Sequence, residues 1–216
     1  MGPDIAGYPV WNLHSKTPHP KVALNPHTKT PVGNFMSTPW HQDSAFYTED
    51  GTERLFTVAA WVPLLNVERE NGPLQVVRGG HRAGLLQHRL AAKHGDEGSF
   101  HLFIEEDDLP EGEIVTCEVN MGTVVFFYQI TPHRGLENYS DRVRWTLDLR
   151  WRQPGLYQGH EERPPVTMRR SDDPSFRPDM AAWIAADRER FAEYVGRAEG
   201  DEFDTTVTGE WMDRWS

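Results

Sequence analysis

Two imidazoles and one carboxylate aimed at a single point, with the opposite side open, form the usual ligand set of a non-haem Fe(II) centre. The sequence offers three places where such a set can begin: His41-Gln42-Asp43, His94-Gly95-Asp96 and His160-Glu161-Glu162. On an extended strand, residues i and i+2 point to the same face. A His-x-Asp pair therefore directs both ligands to one spot, and the third must arrive from another strand. The pair alone is a weak signal, since chance supplies roughly one in a chain of this composition. Context separates the three. His160 is the last histidine, so any partner lies upstream. His94-Gly95-Asp96 sits in a polar, Gly-containing stretch without strand pattern, which would hold paired ligands poorly. His41-Gln42-Asp43 stands between Thr38-Pro39-Trp40 and Ser44-Ala45-Phe46-Tyr47, a stiffer neighbourhood.

A third ligand is available in His133, just after the most apolar run, Val124-Val125-Phe126-Phe127-Tyr128. A histidine satisfied in a turn fits that position equally well. Arg144 opens the next alternating stretch, on its polar side. There it reads either as a salt-bridge partner of Asp148 or as a fork for a dicarboxylate beside the triad.

These residues need strands to carry them. Residues 1–40 hold many prolines and read as mostly loop, with one short strand over Tyr8–Leu13. Leu55–Leu65, Ile114–Val119, Thr123–Tyr128 and residues 143–151 are expected strands. Residues 81–94 are expected to hold a short helix, and 95–112, acidic at Glu105-Glu106-Asp107-Asp108, to form a loop or lid. The strongest helical pattern is Met180–Val195, with Asp179 as N-cap. Short strands, Gly/Asn/Pro turns and few helices point to an antiparallel sandwich or jelly roll, whose mouth suits a small-molecule site.

Composition limits the remaining choices. The chain has 216 residues, enough for one domain with a real core. A net charge of −11 argues against nucleic acid and anionic membrane as partners. No apolar run reaches the roughly 20 residues of a membrane span. The start lacks a leader's basic and apolar segments. The single cysteine, Cys117, rules out an internal disulfide, so the cytoplasm is the expected location.

Taken together, the motifs resemble the phytanoyl-CoA dioxygenase family of Fe(II)/2-oxoglutarate oxygenases. The matching pieces are Thr38-Pro39-Trp40-His41-Gln42-Asp43, Ala60-Trp61-Val62-Pro63-Leu64 and Glu70-Asn71-Gly72-Pro73-Leu74. They continue with Gly79-Gly80-His81-Arg82, Met121–Phe127, His133-Arg134-Gly135, Asn138, Ser140-Asp141-Arg142 and Arg144, in the family's order over roughly residues 8–152. The resemblance implies a double-stranded β-helix, another name for the jelly roll. It implies Fe(II) held by His41, Asp43 and His133, and 2-oxoglutarate bound through Arg144 with Trp61 lining its pocket. Lys16 matches a family segment along the site. The implied reaction is O2-dependent hydroxylation of an aliphatic C–H in a small molecule, with 2-oxoglutarate converted to succinate and CO2. Asp43 favours hydroxylation, since halogenating relatives lack this carboxylate. Gly135 stands where many members carry a serine that reaches the co-substrate.

The resemblance also sets expectations for the whole chain. Residues 1–216 read as one domain, with core 8–152 and an irregular segment plus helix over 153–216. The N-terminus is expected to be truncated relative to the family. If the polar side of 143–151 faces the cofactor, Trp145, Leu147, Leu149 and Trp151 face outward. The C-terminal helix, or a second copy in a homodimer, is then expected to cover them. The competing readings are a non-catalytic, cupin-like metal or ligand-binding module, an inactive truncated family member, and an isomerase or hydrolase using the same three ligands. The last predicts activity without O2 and no role for Arg144.

Overall fold

A computed structural model of the chain describes residues 3–18, 38–47, 56–92, 100–155, 165–186 and 214–215. Its strands are β1 (Ile5–Lys16), β2 (Thr38–His41), β3 (Thr57–Pro63), β4 (Leu74–Val77), β5 (Arg89–Ala92), β6 (Phe100–Phe103), β7 (Ile114–Thr116), β8 (Val125–Tyr128), β9 (His133–Gly135), β10 (Arg144–Arg152) and β11 (Val166–Arg169). They assemble into a five-stranded sheet in the order β11-β1-β10-β3-β8 and a four-stranded sheet in the order β2-β9-β4-β7. Strands β5 and β6 form a separate hairpin pair. Every ladder is antiparallel. This mainly β, jelly-roll architecture is the expected fold class.

The strand pattern of 143–151 survives as β10, the longest ladder partner of both β1 and β3. Its burial is inverted relative to an ordinary sheet. The polar side, with Arg144, Thr146 and Arg152, is buried, while Trp145 on the other side is 42% exposed. Neighbouring strands add Leu13 and Phe126, at 57% and 64%, to the outward apolar face. Large apolar groups on the outside of a sheet are the reverse of normal burial, and they follow from an interior given over to charged and polar side chains.

The apolar core is split around that polar interior. Trp61, Val67 and Leu74 pack with Val125 and Phe127 on one side. Trp40, Val77 and Ile104 form a second cluster with Leu86 and Leu109. Ala45 and Leu102 form a third with Phe46, Leu90 and Trp215. Trp40 is thus a core residue.

Several boundaries differ from the sequence reading. The first strand is longer than Tyr8–Leu13, because Ile5–Tyr8 and Asn12–Lys16 find partners on β10 or β11, with a register shift between Tyr8 and Asn12 where Pro9 stands. Residues 81–94 hold no α-helix among the described residues. Gly80–Ala83 is a 3-10 turn entered through Gly79 at φ 76, followed by strand β5. The expected loop 95–112 contains β6 and a 3-10 turn at Glu106–Asp108; residues 93–99 lie outside the described ones. Strand formation there is driven by pairing with β5 and by burial of Leu102 and Ile104, neither of which a polar sequence window reveals. Residues 180–186 are helical, and Asp179 caps them by accepting from the Ala182 amide at 2.9 Å. The expected continuation to Val195, and with it the cover for the outward face, lies outside the described residues. No described helix is long and apolar enough to cross a membrane.

Candidate metal centre

Strand β2 ends at His41, and β9 begins at His133; the two are register partners across the β2–β9 ladder. Antiparallel pairing brings their rings to 4.1 Å between centroids. Gln42 is extended, at φ −124 and ψ 136, and Asp43 opens a 3-10 turn, Asp43–Phe46. The i, i+2 alternation therefore carries Asp43 to the same face as His41 even though it lies beyond the strand. The three side chains are buried, and one potential ligand atom from each lies within 4.8 Å of the others.

Hydrogen bonds fix how the ligand atoms point. His41 Nδ1 lies 2.8 Å from the Pro39 carbonyl and His133 Nδ1 2.9 Å from the Thr131 carbonyl. A carbonyl only accepts, so each Nδ1 carries the proton and each Nε2 keeps a free lone pair. Both Nε2 atoms face Asp43 Oδ1, at 4.0 and 3.9 Å. Burial lowers the His41 pKa and takes His133 down to about 3, with His41 adding to the second shift. Burial pushes the Asp43 carboxyl up, but the Arg150 guanidinium foremost, then His133 and His41, hold it well below the usual range. Two neutral imidazoles and one ionised carboxylate are the protonation states a divalent metal requires, so the donor set fits such an ion.

Arg144 sits on the inner face of β10, 4% exposed. Its Nη1 donates to Thr146 Oγ1 at 2.8 Å, and its guanidinium lies 5.3 Å over the Trp61 ring. Arg144 Nε is buried without a hydrogen-bond partner. Asp148, the alternative partner, pairs with His14 at 3.3 Å instead. Burial lowers the Arg144 pKa to about 10.

Lys16 lies opposite Arg144 on β1 and is equally buried. Its Nζ donates to the Leu136 carbonyl. Burial first, then the Arg144 charge, bring its pKa down to about 7. The lysine occupies space left by two glycines. A Cβ on Gly135 would stand 3.0 Å from Lys16 Nζ, and one on Gly72 2.5 Å from Lys16 Cδ. The space that a side chain at Gly135 would need is thus filled by an amine from another strand.

Two further residues belong to the site and carry no recognisable sequence motif. Arg150 reaches from β10 to Asp43, its Nε 3.1 Å from Oδ2 and its Nη2 3.3 Å from Oδ1. The only signal was its place on the Arg144 side of the alternation. His88 is 1% exposed. Its Nδ1 donates to the Leu86 carbonyl, leaving Nε2 to accept from the Gln42 amide at 3.1 Å. The Gln42 side chain donates to Gly84 and Ile130 carbonyls and accepts from the Leu86 amide. The peptide between His41 and Asp43 is thereby clamped from behind. Trp215 closes the clamp, 4.9 Å from the His88 ring and donating to the Ala45 carbonyl. The other two candidate motifs, at His94 and His160, lie outside the described residues.

The family model for phytanoyl-CoA dioxygenase matches residues 5–146. The chain is similar to L-proline trans-4-hydroxylase of Streptomyces griseoviridis, 30% identical over 149 residues, covering 63% of this chain and 56% of that protein. It is similar to 1-deoxypentalenic acid 11-beta-hydroxylase of Streptomyces arenae, 26% identical over 159 residues, covering 72% of this chain and 53% of that protein. The chain thus spans about half the length of these curated relatives. Among solved structures, the apo form of the non-heme monooxygenase ThoJ shares the fold, with a TM-score of 0.58 at 19% identity, covering 91% of this chain and 70% of that one.

Proposed function

The chain belongs to the phytanoyl-CoA dioxygenase family, and from that premise we propose that it is an Fe(II)/2-oxoglutarate-dependent oxygenase that hydroxylates an aliphatic C–H of a small molecule. The observation that carries this reading is the convergence of His41, Asp43 and His133, buried, with their ligand atoms within 4.8 Å. His41 Nε2, His133 Nε2 and Asp43 Oδ1 would hold the iron. The bound metal would supply the oxidising chemistry that side chains alone do not provide, with O2 as the oxidant and 2-oxoglutarate as the electron-donating co-substrate.

The chain's own share is binding, orientation and exclusion of water. Arg144, with its orphaned Nε and its guanidinium over Trp61, stands beside Lys16, so two buried basic groups adjoin each other. Two buried cations side by side are costly unless an anion joins them. A dicarboxylate answers that need, its distal carboxylate lying on the Arg144 fork. The Pro39 and Thr131 carbonyls keep both imidazoles in the ligating tautomer. The Gln42 clamp keeps the ligand-bearing loop rigid. Rigid support of this kind favours a site that holds its geometry through turnover.

The test is anaerobic Fe(II) titration followed by succinate release in air. One equivalent of Fe(II) and 2-oxoglutarate-dependent succinate formation are expected. Metal binding without any succinate, across a panel of small-molecule substrates, would favour the cupin-like binding module instead.

A further inference from the structure

Every ligand of the candidate metal centre has a partner that orients it, and the partner of Asp43 is unlike the other two. The histidines are held by backbone carbonyls, whereas Asp43 is held by a full positive charge from Arg150. A guanidinium beside a prospective dication is electrostatically unfavourable. What it gives in return is geometry. Arg150 Nε holds Oδ2 at 3.1 Å, Nη2 reaches Oδ1 at 3.3 Å, and Oδ1 is the oxygen that faces both imidazoles. The arginine side chain is 15% exposed and Asp43 8%, so water competes little for either. A planar fork fixes the carboxylate plane as well as its position. We propose that Arg150 is the positioning residue of the metal centre: it keeps Oδ2 turned away and presents Asp43 as a one-oxygen ligand.

This inference rests on the reading of His41, Asp43 and His133 as metal ligands and goes beyond it. A carboxylate free to swing can take two positions on a metal, and a carboxylate forked by Arg150 takes one. The position so kept open is what a two-point co-substrate and a third reactant need. Arg144 and Arg150 share one face of β10, so one strand serves both the co-substrate and the metal ligand.

The experiment is anaerobic Co(II) titration of the full chain, wild type beside Arg150→Met, Arg150→Lys and Asp43→Ala, read by affinity and by the visible absorption of bound Co(II). Wild type is expected to bind one Co(II). Arg150→Met is expected to bind about 10–100-fold more weakly, the usual cost of losing an orienting partner, and with a changed absorption band. Arg150→Lys keeps the charge but not the fork, so it is expected to recover only part of the affinity. If Arg150→Met does not fold, Arg150→Lys decides alone. A lysine or methionine variant matching wild type in both affinity and spectrum overturns the proposal, as does a lysine that restores both fully. A wild type that binds no Co(II) sinks the metal-centre reading itself, a different result from a loaded wild type equalled by its Arg150 variants.

Discussion

Lys16 and Arg144 face each other across the β1–β10 ladder, two buried basic groups, with the lysine packed against Gly72 and Gly135. The arrangement stores repulsion in the ligand-free protein that a bound dianion relieves. Lys16→Met is therefore expected to raise the melting temperature of the ligand-free protein near neutral pH. The same variant is expected to weaken 2-oxoglutarate by about tenfold to 100-fold, the range for one charge-assisted hydrogen bond. Calorimetric titration against thermal melts reads both. A variant that melts lower and binds 2-oxoglutarate normally would remove Lys16 from the site.

The same lysine predicts a pH trend with a definite sign. Its pKa is about 7 in the fold against 10.5 when exposed. Between those values the unfolded chain binds more protons, so stability rises with pH there. The ligand-free protein is expected to gain stability from this group as pH climbs from about 7 toward 10.5. Saturating 2-oxoglutarate should flatten that slope by restoring the charged lysine. Melting curves over this range, with and without 2-oxoglutarate, check it.

His88 acts with the same sign in a more acidic window. Burial brings its pKa to about 4 from 6.5 against the Leu86 hydrogen bond, which raises it, and only a neutral ring can accept from the Gln42 amide. As pH falls from 6.5 toward 4 the unfolded chain takes up a proton that the fold refuses, and stability is lost. His88→Phe removes this proton from the balance and leaves the Gln42 amide without its acceptor. It is expected to be less stable at pH 7 by about 1–3 kcal/mol and to show a shallower acid limb. An unchanged limb would show that His88 does not titrate on unfolding.

Loss of the triad separates metal binding from stability. His133→Ala is expected to abolish Fe(II)-dependent succinate release, at least 100-fold, with a modest effect on folding. Asp43→Ala is expected to do the same and also to cost about 3 kcal/mol or more, because it leaves a buried guanidinium without its carboxylate fork. Chemical denaturation of the metal-free variants measures the difference. Equal stability of the two would mean that the Asp43–Arg150 pair contributes nothing net.

The glycines around Lys16 differ in what they tolerate. Gly72 has φ +79, and a Cβ there would meet Lys16 Cδ at 2.5 Å and the Leu136 carbonyl oxygen at 2.8 Å. Gly72→Ala is expected to destabilise by about 2–4 kcal/mol, combining left-handed strain with overpacking. At Gly135 a Cβ would come nearest the movable Lys16 Nζ, at 3.0 Å, with Thr38 in ordinary contact at 3.5 Å. Gly135→Ser is expected to fold, displace the lysine head and change 2-oxoglutarate affinity more than melting temperature.

The local parts of this protein were legible from its residues. His41-Gln42-Asp43 turns its two candidate ligands to one face because extended backbone repeats every two residues, and that holds wherever the strand lies. The alternation over 143–151 gave β10 and both its faces for the same reason, and the apolar run before His133 gave β8. What the chain could not disclose locally is which distant groups the ladders bring together. Arg150 meets Asp43 from 107 positions away, and Lys16 meets the Leu136 carbonyl from 120. Strand β6 forms in a polar window because β5 pairs with it, and His88 is buried because the loop around Gln42 folds over it. The His41–Asp43 pair was fixed by backbone periodicity, a property of neighbours, whereas His133 joins it only through the β2–β9 register. The positioning of Asp43, the paired cations and the clamp behind Gln42 were decided by strand register, which exists only once the sheets have formed.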